Sequence, residues 1–557
     1  MNIPSINYRQ KSNFQNNNQP KPAFGRALTT AETQMLSQSL ETAKEKSGIN
    51  YLAMIMPIAA TPAKSRENTG IGNFSGISKL FEKIAPLTGI NASQLLPTGE
   101  ISANKDFSPF NTPGFGLSLN YVNPFELTKD SFGNLLKESG PDLISFDIKN
   151  HYRTNYENKN NIEKLLNKAY ENYTKSNNDS SIKQLADKFK AFKEKEEIKF
   201  WLDSYAKKYD GNNPERYKFK QFIAEEQYKK MQTDLKDVNK NGIKIIVDCP
   251  IGMNEALDGQ IAKDKYNGEN PFFSSKDSLA CDNGGKAVRW GLPVLHPEKE
   301  SAKSLVYHKA LYQAKHGNGV RIDAAQYLMY PSINNGLDDK VIIPDVYSKN
   351  PKIIGDAFLS GIKDGGAEKD LCVAEHLPFN PAYDEKLVDG YLKNNGILNK
   401  IPKFSCAQWG DTDSEKWDCF ANHDEQNIHQ QKSPNTDEIK NTFAWLLGRP
   451  AKKYQLMFTD ILGYSDAYNV KNTNNKNNWK FRLPENWETE YHDHLQKGLG
   501  FNAPETFDKV LEQKGVTDDK LKRKLYEFGQ ILRKKGVKTQ QEADTLFGSD
   551  YIDSKLK

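Results

Sequence analysis

Short apolar runs recur along the chain, separated by longer stretches in which polar and apolar residues mix. Tyr51–Met56, Ile243–Val247, Gly319–Ile322, Leu371–Ala374, Trp417–Ala421 and Tyr454–Phe458 are each four to six residues long. Runs of that length between polar residues suit strands buried on both faces of a parallel sheet. Between them, Ile162–Tyr173 and Ile182–Lys195 place apolar residues at three-to-four spacing among charges, the pattern of an amphipathic helix. Strands that alternate with helices predict an α/β fold built on a parallel sheet. No repeat with a period of about 20–50 residues is evident, which argues against a solenoid.

The first 47 residues read differently. Asn2–Pro20 is polar, rich in amides and punctuated by proline, with too little apolar content to offset the entropy of ordering it. A helix over Ala31–Ala43 is compatible with the pattern, yet the expectation is a disordered tail across 1–47.

Four of the apolar runs carry an acid at their far end. Ile243–Val247 leads to Asp248, Gly319–Ile322 to Asp323, Leu371–Ala374 to Glu375, and Trp417–Ala421 to Asn422–His423–Asp424. Any one of these carboxylates could cap a following helix. Four together, three of them beside Arg or His, are what a (β/α)₈ barrel gathers around a pocket at the C-terminal ends of its strands. The fold class expected is therefore α/β, a TIM barrel spanning 48–557. An inserted helical subdomain is expected at about 130–240 and a helical C-terminal segment at about 500–557.

Composition narrows the partners. Lys+Arg 77 against Asp+Glu 72 leaves a formal charge of +5, too small a balance to argue for nucleic acid or a membrane surface. The longest strongly apolar run, Tyr51–Ala60, is interrupted by Pro57 and falls short of the about 18 residues of a bilayer span. The N-terminus also lacks the apolar stretch of a signal peptide. The five cysteines, Cys249, Cys281, Cys372, Cys406 and Cys419, show no C-x-x-C spacing, so a reducing, cytoplasmic setting is expected. No H-E-x-x-H and no glycine-rich phosphate loop occurs, so no metal and no cofactor is expected. The basic stretch Leu521–Lys524 with Arg533–Lys535 is diluted by Asp518, Asp519 and Glu527, and reads as a solvated helix face.

Carboxylates with an arginine suffice for glycosidic-bond chemistry, in which a retaining enzyme pairs a carboxylate nucleophile with a protonated acid. Arg321 lies two residues before Asp323, so on a strand both side chains share a face, and the guanidinium would keep Asp323 ionised. Glu375 has no sequence-adjacent cation on its own face, and burial there would raise its pKa, as suits an acid.

The motifs resemble those of 4-α-glucanotransferases of the amylomaltase or disproportionating-enzyme type, glycoside hydrolase family 77. Gly319–Asp323 resembles the nucleophile strand, Val373–Glu375 the acid/base strand, and Asn422–Asp424 the strand of the transition-state-stabilising Asp. Gly242–Ile246 with Asp248, Pro250 and Ile251 is similar to the third strand. Collinear with these are Gly70–Gly72, Leu95–Gly99, Ser108–Phe110, Trp201–Ala206, Arg289–Gly291, Thr459–Gly463 and Asn478–Pro484. The resemblance spans about 51–485. Ala324 stands where the family usually has His, His376 where it has Asp, and Phe110 where it has Tyr. The family's Asp-Ser-Ala-Asp is not recognisable near Ala256–Asp258, and the loop Ser278–Lys286 lacks the usual aromatic pair.

The resemblance implies a retaining transferase acting on α-1,4-glucans and malto-oligosaccharides. In it Asp323 is the nucleophile, Glu375 the acid/base and Asp424 the transition-state stabiliser. Arg321, His423, Asp248, Trp290, Phe110 and Asn422 are the expected substrate-binding residues. Trp290 is a candidate sugar-stacking platform in a Gly-containing loop, whereas Trp479 reads as packing. Two other readings share these residues: a glucan hydrolase with water as acceptor, and a glucan-binding protein without turnover. Neither the natural acceptor nor the oligomeric state is legible.

Overall fold

The computed structural model describes residues 28–533 apart from 101–106, 138–143, 149, 176–179, 376–384, 396–397, 402–416, 433–434, 471–472 and 474. Its strands in chain order are β1 (Tyr51–Met56), β2 (Ala92–Leu95), β3 (Lys244–Cys249), β4 (Ser278–Asp282), β5 (Ala287–Arg289) and β6 (Gly319–Ile322). They continue with β7 (Ile333–Asn334), β8 (Val373–Glu375), β9 (Leu398–Ile401), β10 (Trp417–Cys419) and β11 (Lys453–Met457). Eight of them form one sheet in the order β10-β11-β1-β2-β3-β6-β8-β9. Each ladder in it is parallel. The end strands β9 and β10 lie against each other, so the sheet curls round into a barrel of the TIM type.

Helices connect successive barrel strands and cover the outside. Phe74–Thr88 follows β1, Pro214–Lys236 precedes β3, Glu300–Lys315 precedes β6, Ile353–Asp364 precedes β8 and Thr436–Gly448 precedes β11. Outward positions of the strands, such as Leu52, Met54 and Met56 on β1, are fully buried against this layer. Inward positions form a separate apolar plug that includes Ala53, Ala92, Ile246, Val373, Trp417 and Cys419. Burial on both faces explains why these strands read as continuous apolar runs rather than alternating ones. Gly319 is required at the start of β6, because a side-chain Cβ there would collide with the Leu371 carbonyl oxygen of the neighbouring chain segment.

The strands at Tyr51–Met56 and Gly319–Ile322 coincide with the runs that predicted them. Leu371 instead ends a 3₁₀ turn, so β8 begins at Val373 and Glu375 is its last residue. Two barrel strands had no apolar signature. Ala92–Leu95 carries Ser93 and Gln94, and Leu398–Ile401 carries Asn399 and Lys400.

Between β2 and β3 lie the helices Lys159–Lys175, Ser180–Glu194, Leu202–Tyr209 and Pro214–Lys236. After β11 the chain forms Trp487–Lys497, Ala503–Gln513 and Asp519–Arg533. The rest of the expected C-terminal segment, 534–557, lies outside the described residues, as do 1–27 of the expected tail. The second half of that tail is corrected by the structure. Thr30–Ser47 is a helix with a Thr29–Glu32 capping box at its start and Gly48 in the left-handed conformation at its end. Its stripe Leu36, Leu40 and Ala43 is wholly buried, against helices Phe74–Thr88, Ala503–Gln513 and Asp519–Arg533. A stripe that narrow leaves average composition polar while still burying two leucines, each worth about 1.5–3 kcal/mol. Among the described residues no helix is long and apolar enough to cross a membrane.

Candidate active site

Two residues above the apolar plug, the inward face of the barrel turns polar. The alternation of a strand places Gln94 on the same face as Ala92, Asp248 on that of Ile246, and Glu375 on that of Val373. Register sets Asp248 beside Arg321 and Arg321 beside Val373 in adjoining ladders. Asp248 and Glu375 therefore converge on Arg321, with Gln94 behind Asp248.

The Arg321 guanidinium, 1% exposed, is the hub. Its Nη1 donates to Asp248 Oδ1 at 2.7 Å and to Asp323 Oδ1 at 2.9 Å, and its Nη2 pairs with Glu375 Oε2 at 2.8 Å. The Asp248 side chain is 0% exposed, that of Glu375 10% and that of Asp323 22%, which decides what a ligand can touch. Asp323 and Glu375 keep part of their side chains exposed, whereas Asp248, an expected substrate-binding residue, is wholly covered and meets Arg321.

One guanidinium cannot neutralise three carboxylates, and the protonation pattern follows from that. Burial pushes the Asp248 carboxyl up to about 6, against the opposing pull of Arg321. Loss of water likewise raises Asp323 well above the usual carboxylate range, with Arg321 opposing and Glu375 and Asp248 reinforcing. Glu375 thus reinforces the raised Asp323 carboxyl, and both acids lean on the same guanidinium. The expectation that Arg321 would hold Asp323 ionised while Glu375 lacked a cation is corrected here. The fold carries the same guanidinium to both acids.

Directly after Asp323 the backbone turns sharply. Ala324 has φ 39°, a left-handed conformation that costs a non-glycine residue about 1 kcal/mol or more. The turn aims the Ala324 N–H at Glu375 Oε2, 3.3 Å away, adding a backbone donor to the pair. His376 lies outside the described residues.

The fourth acid arrives from beyond β10. Asn422 Oδ1 accepts the Asp424 N–H at 2.8 Å, closing a local turn, and Asn469 Nδ2 donates to Asp424 Oδ1 at 2.7 Å. Asn422 thus shapes the loop that presents Asp424, whose side chain is 27% exposed. His423 is buried and its ring stacks on Phe110 with centroids 4.7 Å apart. The Arg321 guanidinium lies 5.7 Å from the other side of this contact, at the Phe110 ring. Phe110 therefore bridges the carboxylate cluster and the His423–Asp424 loop. Trp479, at φ 63°, backs the same wall, 6.0 Å from Phe110 and 5.7 Å from His423.

The loop that carries Phe110 is anchored at Gly114, whose N–H points to the buried Asp258 carboxylate. Asp258 also accepts from Tyr205 Oη at 2.5 Å and from the Asn254 N–H at 2.6 Å. This explains the Trp201–Ala206 motif: Tyr205 ties the inserted helices to the loops after β2 and β3.

Trp290 directly follows β5 of the three-stranded antiparallel sheet β5-β4-β7, and its N–H donates to the Leu279 carbonyl of β4 at 2.9 Å. It is half-buried, 5.0 Å from Tyr327, in an apolar cluster with Ala324. Gln94, Gln455 and Asn469 were missed by sequence reading. They are neutral amides with no acid or histidine directly beside them, and only the barrel brings them to the cluster. Among the described residues no group of His, Cys, Asp and Glu could hold a metal ion.

No family model matches the chain, and no curated protein matches it in sequence. Solved structures do. Amylomaltase from Corynebacterium glutamicum superimposes with a TM-score of 0.63 at 13% identity, over 83% of this chain and 76% of that one. Amylomaltase from Streptococcus agalactiae, in complex with acarbose, gives 0.59 at 15% identity, over 87% of this chain and 100% of that one. At such identity the likeness establishes a shared fold.

Proposed function

We propose that this chain is a retaining 4-α-glucanotransferase that moves α-1,4-glucan segments between malto-oligosaccharides. The observation that carries the reading is the Asp323–Arg321–Glu375 cluster at the C-terminal ends of β6 and β8, with Asp424 presented across Phe110. It is supported by the amylomaltase fold.

In this reading the two carboxyls work as a retaining pair, at about 5–5.5 Å, with the proton on Glu375 and with Asp323 ionised beside Arg321. Asp323 then attacks the anomeric carbon, forming a glycosyl ester as the bond to the leaving oxygen breaks. Glu375 gives its proton to that oxygen. Asp424 stabilises the positive charge on the ring in the transition state. In the second half Glu375 takes the proton of the acceptor 4-hydroxyl, whose oxygen displaces Asp323. Phe110, His423 and Trp290 supply apolar surface for the sugar rings.

Transfer in preference to hydrolysis needs a site that orients the acceptor and excludes water, whose concentration is about 55 M. The sheet β5-β4-β7 with Trp290, and the helices between β2 and β3, provide such walls. Incubation with maltotriose is the test. Glucose and chains longer than three units are expected, with reducing ends constant because each bond broken is replaced. Reducing ends that rise in step with maltotriose consumption, without longer chains, would make the protein a hydrolase. Binding without any product would leave a glucan-binding protein.

A further inference from the structure

The polar layer of the barrel extends away from the acids. Gln94 Nε2 donates to Asp248 Oδ2 at 2.9 Å, and Gln455 Nε2 donates to Gln94 Oε1 at 2.7 Å. Both side chains are buried, at 1% and 0% exposure, the first above Ala92 on β2 and the second beside Ala53 of β1. We infer that Gln94 and Gln455 are positioning residues, a hydrogen-bond relay of fixed direction that holds Asp248 and, through it, the Arg321 guanidinium on the reacting acids. The inference rests on the glucan-transfer reading above.

The direction of the relay follows from chemistry. An ionised Asp248 only accepts, so Gln94 must present its NH₂ to it. Its carbonyl then faces Gln455, which must donate. Neither amide can flip without setting two like groups against each other. Asp248 Oδ1 remains for Arg321, so the two carboxylate oxygens are divided between an amide and the guanidinium.

Stability does not account for this arrangement. Gln455 Oε1 is buried and has no hydrogen-bond partner among the described residues. A buried carbonyl oxygen left in that state is a cost that an apolar residue of similar size would avoid. The placement of two buried amides behind the acids makes sense through what they hold. Groups that face Asp248 are Arg321 from β6, Asp323 beyond it, Glu375 from β8, and Cys249 with the buried Lys309 behind. Of these only Arg321 touches both reacting acids.

The test uses the full chain with Gln94→Met, Gln455→Met and the double variant. Loss of the Gln94 bond lets Asp248 take up a proton more readily. A neutral Asp248 no longer raises Asp323, which then releases its proton at lower pH. For Gln94→Met, kcat on maltotriose is expected to fall about tenfold or more with KM changed less than threefold. The acidic limb of the pH profile, where Asp323 must ionise to act as nucleophile, should move down by roughly half a unit to one unit. Gln455→Met should move both quantities less and in the same direction, and the double variant should be no worse than Gln94→Met, since both act through Asp248.

A second readout needs no turnover: ¹³C titration of labelled aspartates, with Asp248→Asn assigning the resonance, should show Asp248 titrating at higher pH. Rates that fall with an unchanged pH profile and an unchanged Asp248 titration would overturn the relay, and so would fully additive effects. If wild type does not act on maltotriose but the titration moves as expected, the functional reading fails and the relay stands. Should Gln94→Met not fold, Gln455→Met decides by the same criteria.

Discussion

Replacing Arg321 by Met should destabilise the protein in a way that depends on pH. The guanidinium is 1% exposed and contacts three carboxylates, so its loss leaves buried acids without a counter-charge. Removing one partner of such a set costs about 3–5 kcal/mol. The pH dependence can be worked from Asp248, whose carboxyl stands at about 6 in the fold against an ordinary 3.8. Because the folded value is raised, the folded chain keeps a proton that the unfolded chain has released, and stability falls as pH rises from 3.8 to about 6. Above that it is level. Between pH 5 and pH 8 the wild-type protein therefore loses about 1.4 kcal/mol through this group. Without Arg321, which pulls the value down, Asp248 keeps its proton to higher pH, and the loss over the same interval grows toward a ceiling of about 4 kcal/mol for a group protonated throughout. The penalty of the substitution should thus be larger at pH 8 than at pH 5, by up to about 3 kcal/mol through this group. Urea unfolding of both proteins at the two pH values measures it; Asp323, which Arg321 also pulls down, shifts in the same sense, and groups remote from Arg321 cancel in the comparison. A penalty that is the same at both pH values, within about 0.5 kcal/mol, would show that Arg321 acts by filling space.

Asp323→Asn should abolish turnover while leaving glucan binding intact, because an amide forms no glycosyl ester; a residual rate within about tenfold, roughly 1.4 kcal/mol of barrier, would remove Asp323 from the nucleophile role. Glu375→Gln retaining activity would do the same for the acid/base. Leu40→Ala, in the N-terminal helix, should cost about 2–5 kcal/mol in urea unfolding, since the side chain is 0% exposed. A loss below about 0.5 kcal/mol would mean that Thr30–Ser47 does not stay docked on the barrel in solution.

The sequence alone determined what depends on neighbours along the chain. A fully buried parallel strand must be apolar on both faces, so β1, β3 and β6 were legible as runs. The two-residue period of a strand put Arg321 and Asp323 on one face, and the fold keeps them there, 2.9 Å apart. The motifs around Asp323, Glu375 and Asp424 likewise pointed to a pocket, because each is a short local pattern at a strand end.

Tertiary structure decided whatever depends on which strands are neighbours. Glu375 lies 54 residues beyond Arg321 in sequence, and nothing near it foretold that β8 pairs with β6 and lends it that guanidinium. The protonation of the acids turned on this point, since one cation shared three ways cannot ionise them all. Gln94 and Gln455 are 361 residues apart and carried no signal of their own, until closure of the barrel set them end to end against Asp248. Residues 30–47 were polar by composition, yet a stripe of Leu36, Leu40 and Ala43 is enough once a helix aligns it against a waiting apolar surface. Local chemistry is written in adjacent residues. Charge, proton and packing are shared across ladders and helix faces, and those contacts exist only when the chain has closed on itself.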